Sequence, residues 1–274
     1  MIKNKQTRDD RYKIKTVPLF TRSLYIRITT ITTFFMLKTA FFYLTFWGIL
    51  IFSIFLFIPL YVLKLVGTKS AEKRFVYLVS SAWARFILIV NGVSYTAYGK
   101  ENIPDSRSGL VVVSNHQGSF DIPIYISCLP FSVGFIAKHE LKKMPILSGW
   151  MNSLDCIFIN RKKLRESSNK INKRIHQKDK NPIFIFPEGT RSKGPQMGPF
   201  KPGSLKLMFH ERADVLPITI SGSFKCMELH HNVKSEHVEL YYHPVLHSSD
   251  YRLDDFETFN IDLQRIIAGP LTVS

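Results

Sequence analysis

Cysteine is scarce in this chain, and its spacing does not suit cross-linking. Cys128, Cys156 and Cys226 form an odd set with no CxxC pair, which argues against a disulfide framework and a cysteine-rich zinc site. That usage fits a reducing, cytosolic setting. Histidine is more plentiful, yet no HExxH or comparable ligand spacing occurs, so His230, His231 and His237 read as surface or satisfied core residues and no metal is expected. A GxSxG elbow is also missing, which removes the usual signature of a serine hydrolase with a residue such as Ser119 as nucleophile. Acidic residues run short, 21 against 37 basic ones, for a formal net charge of +16. That balance favours an acidic partner: nucleic acid, anionic lipid or a phosphate-bearing substrate. No internal repeat or low-complexity linker interrupts the 274 residues, of which 45% are hydrophobic. Global disorder is thereby disfavoured, and one large domain or two small ones are affordable.

Charge disappears altogether between Thr39 and Leu63, where Phe41, Phe42, Trp47, Phe52, Phe55 and Phe57 lie. A bilayer core needs about 20 apolar residues in helical form, so the run is long enough to span. Its Phe content tilts the choice of acidic partner from nucleic acid towards lipid. Both flanks are basic, with Lys13, Lys15, Arg22 and Arg27 before it and Lys64, Lys69, Lys73 and Arg74 after it. Positive residues prefer the cytoplasmic side, and a single crossing would strand one flank. The expected arrangement is a basic arm over 1–27, a bent or in-plane helical anchor over 28–66 whose apolar run is interrupted by Lys38, and an α/β domain over 67–274. A single true span and a buried soluble helix are the alternatives.

Beyond the anchor an amphipathic helix is expected over 71–90. Short β-branched runs then fall at 93–98, 110–114, 132–137, 156–160, 182–186, 215–220 and 237–243. Helical stretches fall between or after them at 119–129, 164–177, 203–211 and 255–268. This alternation predicts an α/β fold with a mixed, largely parallel sheet flanked by helices.

Two constellations follow strands. In Asn115-His116-Gln117-Gly118-Ser119-Phe120-Asp121, Ser119 is expected to cap a helix with Asp121 in its first turn, and His116 to fold back on that carboxylate. Such a pair suits general base chemistry, although HxxxxD spacing alone equally describes an ordinary turn histidine. In Phe186-Pro187-Glu188-Gly189-Thr190-Arg191-Ser192, glycine, hydroxyl and guanidinium can surround a phosphate; a structural salt bridge in a surface turn is the plainer reading. Glu188 needs a separate partner beside a phosphate. Both constellations sit at carboxyl ends of expected strands, the edge where open α/β sheets bind ligands.

With Phe158–Arg161 and Leu216–Ile220 added, the four pieces in this order resemble the glycerolipid acyltransferase family typified by bacterial 1-acylglycerol-3-phosphate acyltransferases, over roughly residues 70–245. The resemblance implies that His116 deprotonates a glycerol hydroxyl and Asp121 orients it. It implies that Arg161, Arg191 and Lys138 hold the acceptor phosphate and that Glu188 and Gly189 shape the acceptor site. The hydroxyl would attack an acyl thioester, acyl-CoA or acyl carrier protein, without a metal, an organic cofactor or an acyl-enzyme. The implied acceptor is lysophosphatidic acid, with glycerol 3-phosphate or another lysophospholipid as rivals. The protein would sit on an anionic membrane surface with its site facing the cytoplasm (the inner membrane in a bacterium), and nucleic acid is no partner. Gly118 stands where the family often has serine, and Asn160 where it often has aspartate; Gly118 is expected to loosen its turn. Arg161, Lys162, Lys163 and Arg165, with Lys142 and Lys143, form either a membrane-facing basic patch or a solvated face. A non-enzymatic basic tether would explain charge and Phe but not the ordered motifs.

Overall fold

The computed structural model describes residues 19–160, 162–177 and 179–272. Eight strands form one sheet: β1 (Ser94–Tyr98), β2 (Val111–Ser114), β3 (Gly134–Lys138), β4 (Ile157–Ile159), β5 (Ile183–Ile185), β6 (Asp214–Ser221), β7 (His237–Tyr242) and β8 (Leu246–His247). Their order is β1-β7-β6-β2-β5-β3-β4, with β8 on β6. β6, β2, β5, β3 and β4 run parallel, while β7 reverses against β6 and carries β1 with it. All seven expected strands are present within about two residues of their expected bounds; the two-residue β8 was too short to leave a period-2 signal.

The strands bury both faces, as a largely parallel sheet requires. Val112, Phe184, Leu216 and Ile218 point to one side, against helices α3 (Lys69–Asn91) and α4 (Asp121–Cys128) through Ile87, Ile124 and Tyr125. Their neighbours Val111, Val113, Ile183, Ile185 and Val215 point to the other. There they meet Ile171 of α6 (Leu164–Ile175), Leu205, Met208 and Phe209 of α7 (Pro202–His210), and Phe259 and Leu263 of α8 (Phe256–Ala268). Alternation of period two thus builds a three-layer α/β/α sandwich.

Two helices precede this domain. α1 (Leu19–Phe52) and α2 (Phe57–Val66) are joined by a 3-10 turn at Ser53–Leu56. The helix runs through Lys38, which interrupts the apolar run of the sequence, and the segment changes from α1 to α2 at Ser53–Leu56. Lys38 survives inside the helix because it has a partner: its ammonium donates to Ser235 Oγ at 2.8 Å. Described from Leu19 onward, the helix already covers part of the stretch expected to be a basic arm; residues 1–18 lie outside the described residues. Phe35–Val66 is long and apolar enough to cross a membrane, with only 17% of its most apolar window buried, which disfavours a soluble core helix. α3 passes the same length and composition test, yet packs its Val76, Ala84, Ile87 and Leu88 face inward.

The 3-10 turn has a partner in the domain. α5 (Pro145–Ser153), a helix the sequence pattern did not announce, presents Trp150, whose indole N–H donates to Ser53 Oγ at 2.8 Å. Phe57 stacks obliquely on Trp150 with centroids 4.8 Å apart. Leu50, Leu60, Val76, Trp150 and Leu154 close a third core cluster. The midpoint of the apolar segment is therefore packed on the globular body.

Candidate active site

Strand directions place the carboxyl ends of β2, β5 and β6 side by side at the centre of one sheet edge, with those of β3 and β4 beyond β5. The loop after β2 carries His116. Its imidazole Nδ1 lies 2.7 Å from Asp121 Oδ2, and its ring stacks on Phe186, which follows β5, with centroids 4.0 Å apart and planes 18° from parallel. Asp121 is fully buried. Its Oδ2 also accepts from the backbone N–H groups of Gln117 at 2.7 Å and Gly118 at 3.0 Å, and its Oδ1 accepts from Ser223 Oγ at 2.5 Å. Oδ2 is already an acceptor for two backbone N–H groups, so it faces Nδ1 as an acceptor too, and the imidazole proton sits on Nδ1. Nε2 then keeps its lone pair and has no partner among the described residues. With 18% of the side chain exposed, this nitrogen can take a proton from an incoming hydroxyl.

Asn115 fixes the loop from behind. Its buried amide donates to Ile220 C=O and accepts from Ile220 N–H, both at 2.9 Å, so the first motif is pinned to β6. The turn does not use Ser119 as a helix cap. α4 has no side-chain cap, and Ser119 is turned away: its N–H and its Oγ both donate to Glu228 Oε1 at 2.7 Å.

The loop after β5 zips onto the first. Glu188 is buried; its Oε1 accepts from His116 N–H at 2.6 Å and its Oε2 from Gly198 N–H at 2.7 Å. His116 C=O accepts from Ser192 N–H at 2.8 Å, and Gln117 C=O from Lys193 N–H at 3.1 Å. The separate partner that Glu188 required is thus backbone N–H, not an arginine. Burial pushes the Glu188 carboxyl above the ordinary carboxylate range, against the pull of those two N–H groups. Gly189 follows in the left-handed region at φ 68°, where a Cβ is strained, and its N–H bonds Phe186 C=O at 3.0 Å.

Arg191 leaves this loop towards the first motif. Its Nη1 donates to Ser119 Oγ and, at 3.1 Å, to Glu228 Oε1. Its side chain is 41% exposed, against 6% for Glu228. Lys138 ends β3, exposed, in register with Ile159 of β4; no hydrogen bond or ion pair among the described residues links it to His116 or Arg191. Arg161 lies outside the described residues. Asn160, just before it, uses its Oδ1 to accept from Lys162 N–H at 3.0 Å. Among the described residues no cluster of three histidine, cysteine or carboxylate groups could hold a metal.

Sequence reasoning missed Ser223 and Glu228. Both follow β6 in a stretch without a motif, and only the pairing of β6 with β2 brings them to His116. Glu228 also explains Gly118: a Cβ there would meet Glu228 Oε2 at 2.6 Å and Ser223 O at 3.1 Å. The glycine does not loosen the turn, which its N–H to Asp121 helps close; it makes room for a carboxylate.

Residues 94–221 match the family model described as Acyltransferase. The chain is 29% identical over 208 residues to a probable 1-acyl-sn-glycerol-3-phosphate acyltransferase of Mycoplasma pneumoniae, across 68% of this chain and 76% of that protein. It is 31% identical over 150 residues to the 1-acyl-sn-glycerol-3-phosphate acyltransferase of Borreliella burgdorferi, across 54% of this chain and 59% of that one. Over those residues the chain is similar to the acyltransferase family. A crystal structure of the 1-acyl-sn-glycerophosphate (LPA) acyltransferase PlsC from Thermotoga maritima shares the fold of this chain, with a TM-score of 0.73 at 22% identity over 87% of this chain and 96% of that one. The family model covers β1 to β6, the stretch that carries His116, Asp121, Glu188 and Arg191. Ser223 and Glu228 lie just past its end.

Proposed function

We propose that this protein moves a fatty acyl group from an acyl thioester, acyl-CoA or acyl carrier protein, to the free sn-2 hydroxyl of 1-acylglycerol 3-phosphate, giving phosphatidic acid for phospholipid synthesis. The observation that carries the reading is the His116–Asp121 pair with Nε2 open, braced by the loop that bears Arg191. The names of the similar proteins support the choice of acceptor.

His116 Nε2 takes the hydroxyl proton as the oxygen attacks the thioester carbonyl. The buried Asp121 carboxylate offsets the charge of the imidazolium. Collapse of the tetrahedral intermediate breaks the C–S bond, and the imidazolium returns its proton to the departing thiolate. Ester and thiol are the products, so no external co-reactant is needed. Arg191 and Arg161 receive the phosphate, with Lys138 at the same sheet edge. Glu188 and Gly189 shape the acceptor site by holding the two loops together. Ser119 is no nucleophile in this scheme, because its hydroxyl is committed to Glu228 and Arg191 rather than to His116.

The apolar segment serves as an in-plane anchor. Its midpoint is held against α5, and its exposed Leu44, Phe52, Phe55, Ile58, Leu65 and Val66 suit the headgroup–acyl boundary of the cytoplasmic leaflet. Exposed Lys142, Lys143, Lys162 and Lys163 add attraction to anionic lipid. On this reading residues 67–274 form the catalytic domain.

The test is a radiolabelled acyl-transfer assay with both donor classes and a panel of acceptors that includes glycerol 3-phosphate and other lysophospholipids. Label should enter phosphatidic acid when 1-acylglycerol 3-phosphate is supplied, and His116→Ala should lower kcat by about a thousandfold. Full transfer by His116→Ala, or a burst of acyl-enzyme, would defeat the mechanism; transfer to glycerol 3-phosphate alone would defeat the acceptor assignment.

A further inference from the structure

Glu228 belongs to none of the four motifs, yet three hydrogen bonds converge on one of its oxygens. Oε1 accepts from Ser119 N–H, Ser119 Oγ and Arg191 Nη1. The carboxylate is nearly buried, and its Oε2 is buried without a hydrogen-bond partner among the described residues. Such a group is costly to bury unless it is paired and hydrogen-bonded. The fold commits several features to keeping it there. Gly118 leaves out the Cβ that would collide with Oε2. The loop that carries Glu228 is closed on itself: Phe224 C=O accepts from the N–H groups of Glu228 at 2.9 Å and Leu229 at 3.1 Å, and Cys226 C=O accepts from Lys234 N–H at 2.8 Å. Ser223, one turn earlier in this loop, binds Asp121.

The arginine side of the pair is different. Arg191 spends only Nη1 on Ser119 and Glu228; among the described residues Nε and Nη2 have no partner, and the side chain is 41% exposed. A guanidinium is a rigid planar fork, so fixing one arm fixes the direction of the others. We infer that Glu228 is a positioning residue for acceptor binding: it holds Arg191 by Nη1 so that the remaining N–H groups face a phosphate monoester brought to the His116 edge. Glu228 stays in place when the phosphate binds, because Ser119 N–H and Oγ hold it independently of Arg191. The inference rests on the reading that Arg191 receives the acceptor phosphate.

The experiment measures acceptor KM, donor KM and kcat for the full-length protein in detergent micelles with 1-acylglycerol 3-phosphate. The variants are Arg191→Ala, Glu228→Ala, Glu228→Gln and the Arg191→Ala/Glu228→Ala pair. Glu228→Ala should raise acceptor KM about tenfold, the scale of losing a charge-assisted hydrogen bond, with donor KM unchanged. Glu228→Gln keeps an acceptor oxygen for Ser119 and Arg191 and should recover most of the loss. In the Arg191→Ala background Glu228→Ala should raise acceptor KM no further. Additive losses, or a fall in kcat with acceptor KM unmoved, would mean that Glu228 is merely structural. A lower acceptor KM in either Glu228 variant would mean that it competes with the phosphate, and would overturn the inference. If Arg191→Ala itself leaves acceptor KM unchanged, the phosphate reading falls and this inference with it. If Arg191→Ala raises KM and neither Glu228 variant does, only the inference falls.

Discussion

Asp121 can be changed to asparagine with little structural loss. The amide oxygen can occupy the Oδ2 position, facing His116 Nδ1–H and the two backbone N–H groups. Its NH2 group then faces Ser223, whose hydroxyl can turn its proton to Gln117 Oε1, already 3.4 Å away. What disappears is the negative charge that stabilises an imidazolium. Asp121→Asn is therefore expected to keep its melting temperature while kcat falls about a hundredfold or more; thermal unfolding beside steady-state kinetics checks both halves. Asp121→Ala differs: it leaves the Gln117 and Gly118 N–H groups and His116 Nδ1–H without their acceptor, and should cost about 3 kcal/mol in stability. Glu188 supplies a pH test. Its folded-state pKa is raised by burial, so its contribution to stability is full below the ordinary glutamate value and is lost as pH rises through the raised one. Glu188→Gln should flatten that acidic part of the stability–pH curve, as read by chemical denaturation at several pH values; an unchanged curve would contradict it. At this scale His116, Asp121 and Arg191 were legible because they sit in motifs. Ser223 and Glu228 were not, because they lie in no motif and their partners Asp121, Ser119 and Arg191 are 102, 109 and 37 residues away in the chain.

Elements were legible where periodicity was strong and illegible where a contact decided the outcome. The seven main strands carried β-branched runs and appeared close to where expected. Lys38 interrupts the apolar run as a lone charge, and its ammonium donates a hydrogen bond to Ser235 Oγ across the fold. The change from α1 to α2 begins at Ser53, where the hydroxyl donates to Leu50 C=O at 2.6 Å and accepts from Trp150. Two substitutions weigh these links. Trp150→Ala should cost about 3–5 kcal/mol by opening a cavity in the cluster that joins α1 and α2 to α5, and chemical denaturation measures it. Thr39→Val removes the oxygen that accepts from Val233 N–H at 3.0 Å. It should lower amide-exchange protection in the 226–236 loop by about tenfold or more, the equivalent of one unsatisfied buried donor. Unchanged protection would show that α1 does not brace that loop.

The whole molecule joins an apolar face to a basic one. Formal charge is +16, and exposed Lys142, Lys143, Lys162 and Lys163 flank strand β4 and the short turn before α5. Lysines near a membrane surface contribute about 1 kcal/mol each at low salt, and salt screens that attraction. Replacing these four by glutamine should weaken sedimentation with anionic vesicles, in a salt-dependent way, and leave binding to neutral vesicles unchanged. Replacing Phe55 and Ile58 by serine should weaken both. If the lysine variant bound anionic vesicles as well as the parent does, the basic face would be a solvated surface and nothing more.

Fold class, the apolar segment and the two motif loops could be read from the chain alone, because each is encoded in local pattern: period-two strands, an uncharged run, and motifs at strand ends. Which groups hold those loops depends on the strand order. β6 lies beside β2, so Asn115 reaches Ile220, Ser223 reaches Asp121 and Glu228 reaches Arg191. No local pattern encodes such pairings, because a hydrogen bond depends on distance in space. Gly118 makes the point in one residue: in the sequence it is a departure from a motif, and in the fold it is the space that a distant carboxylate fills.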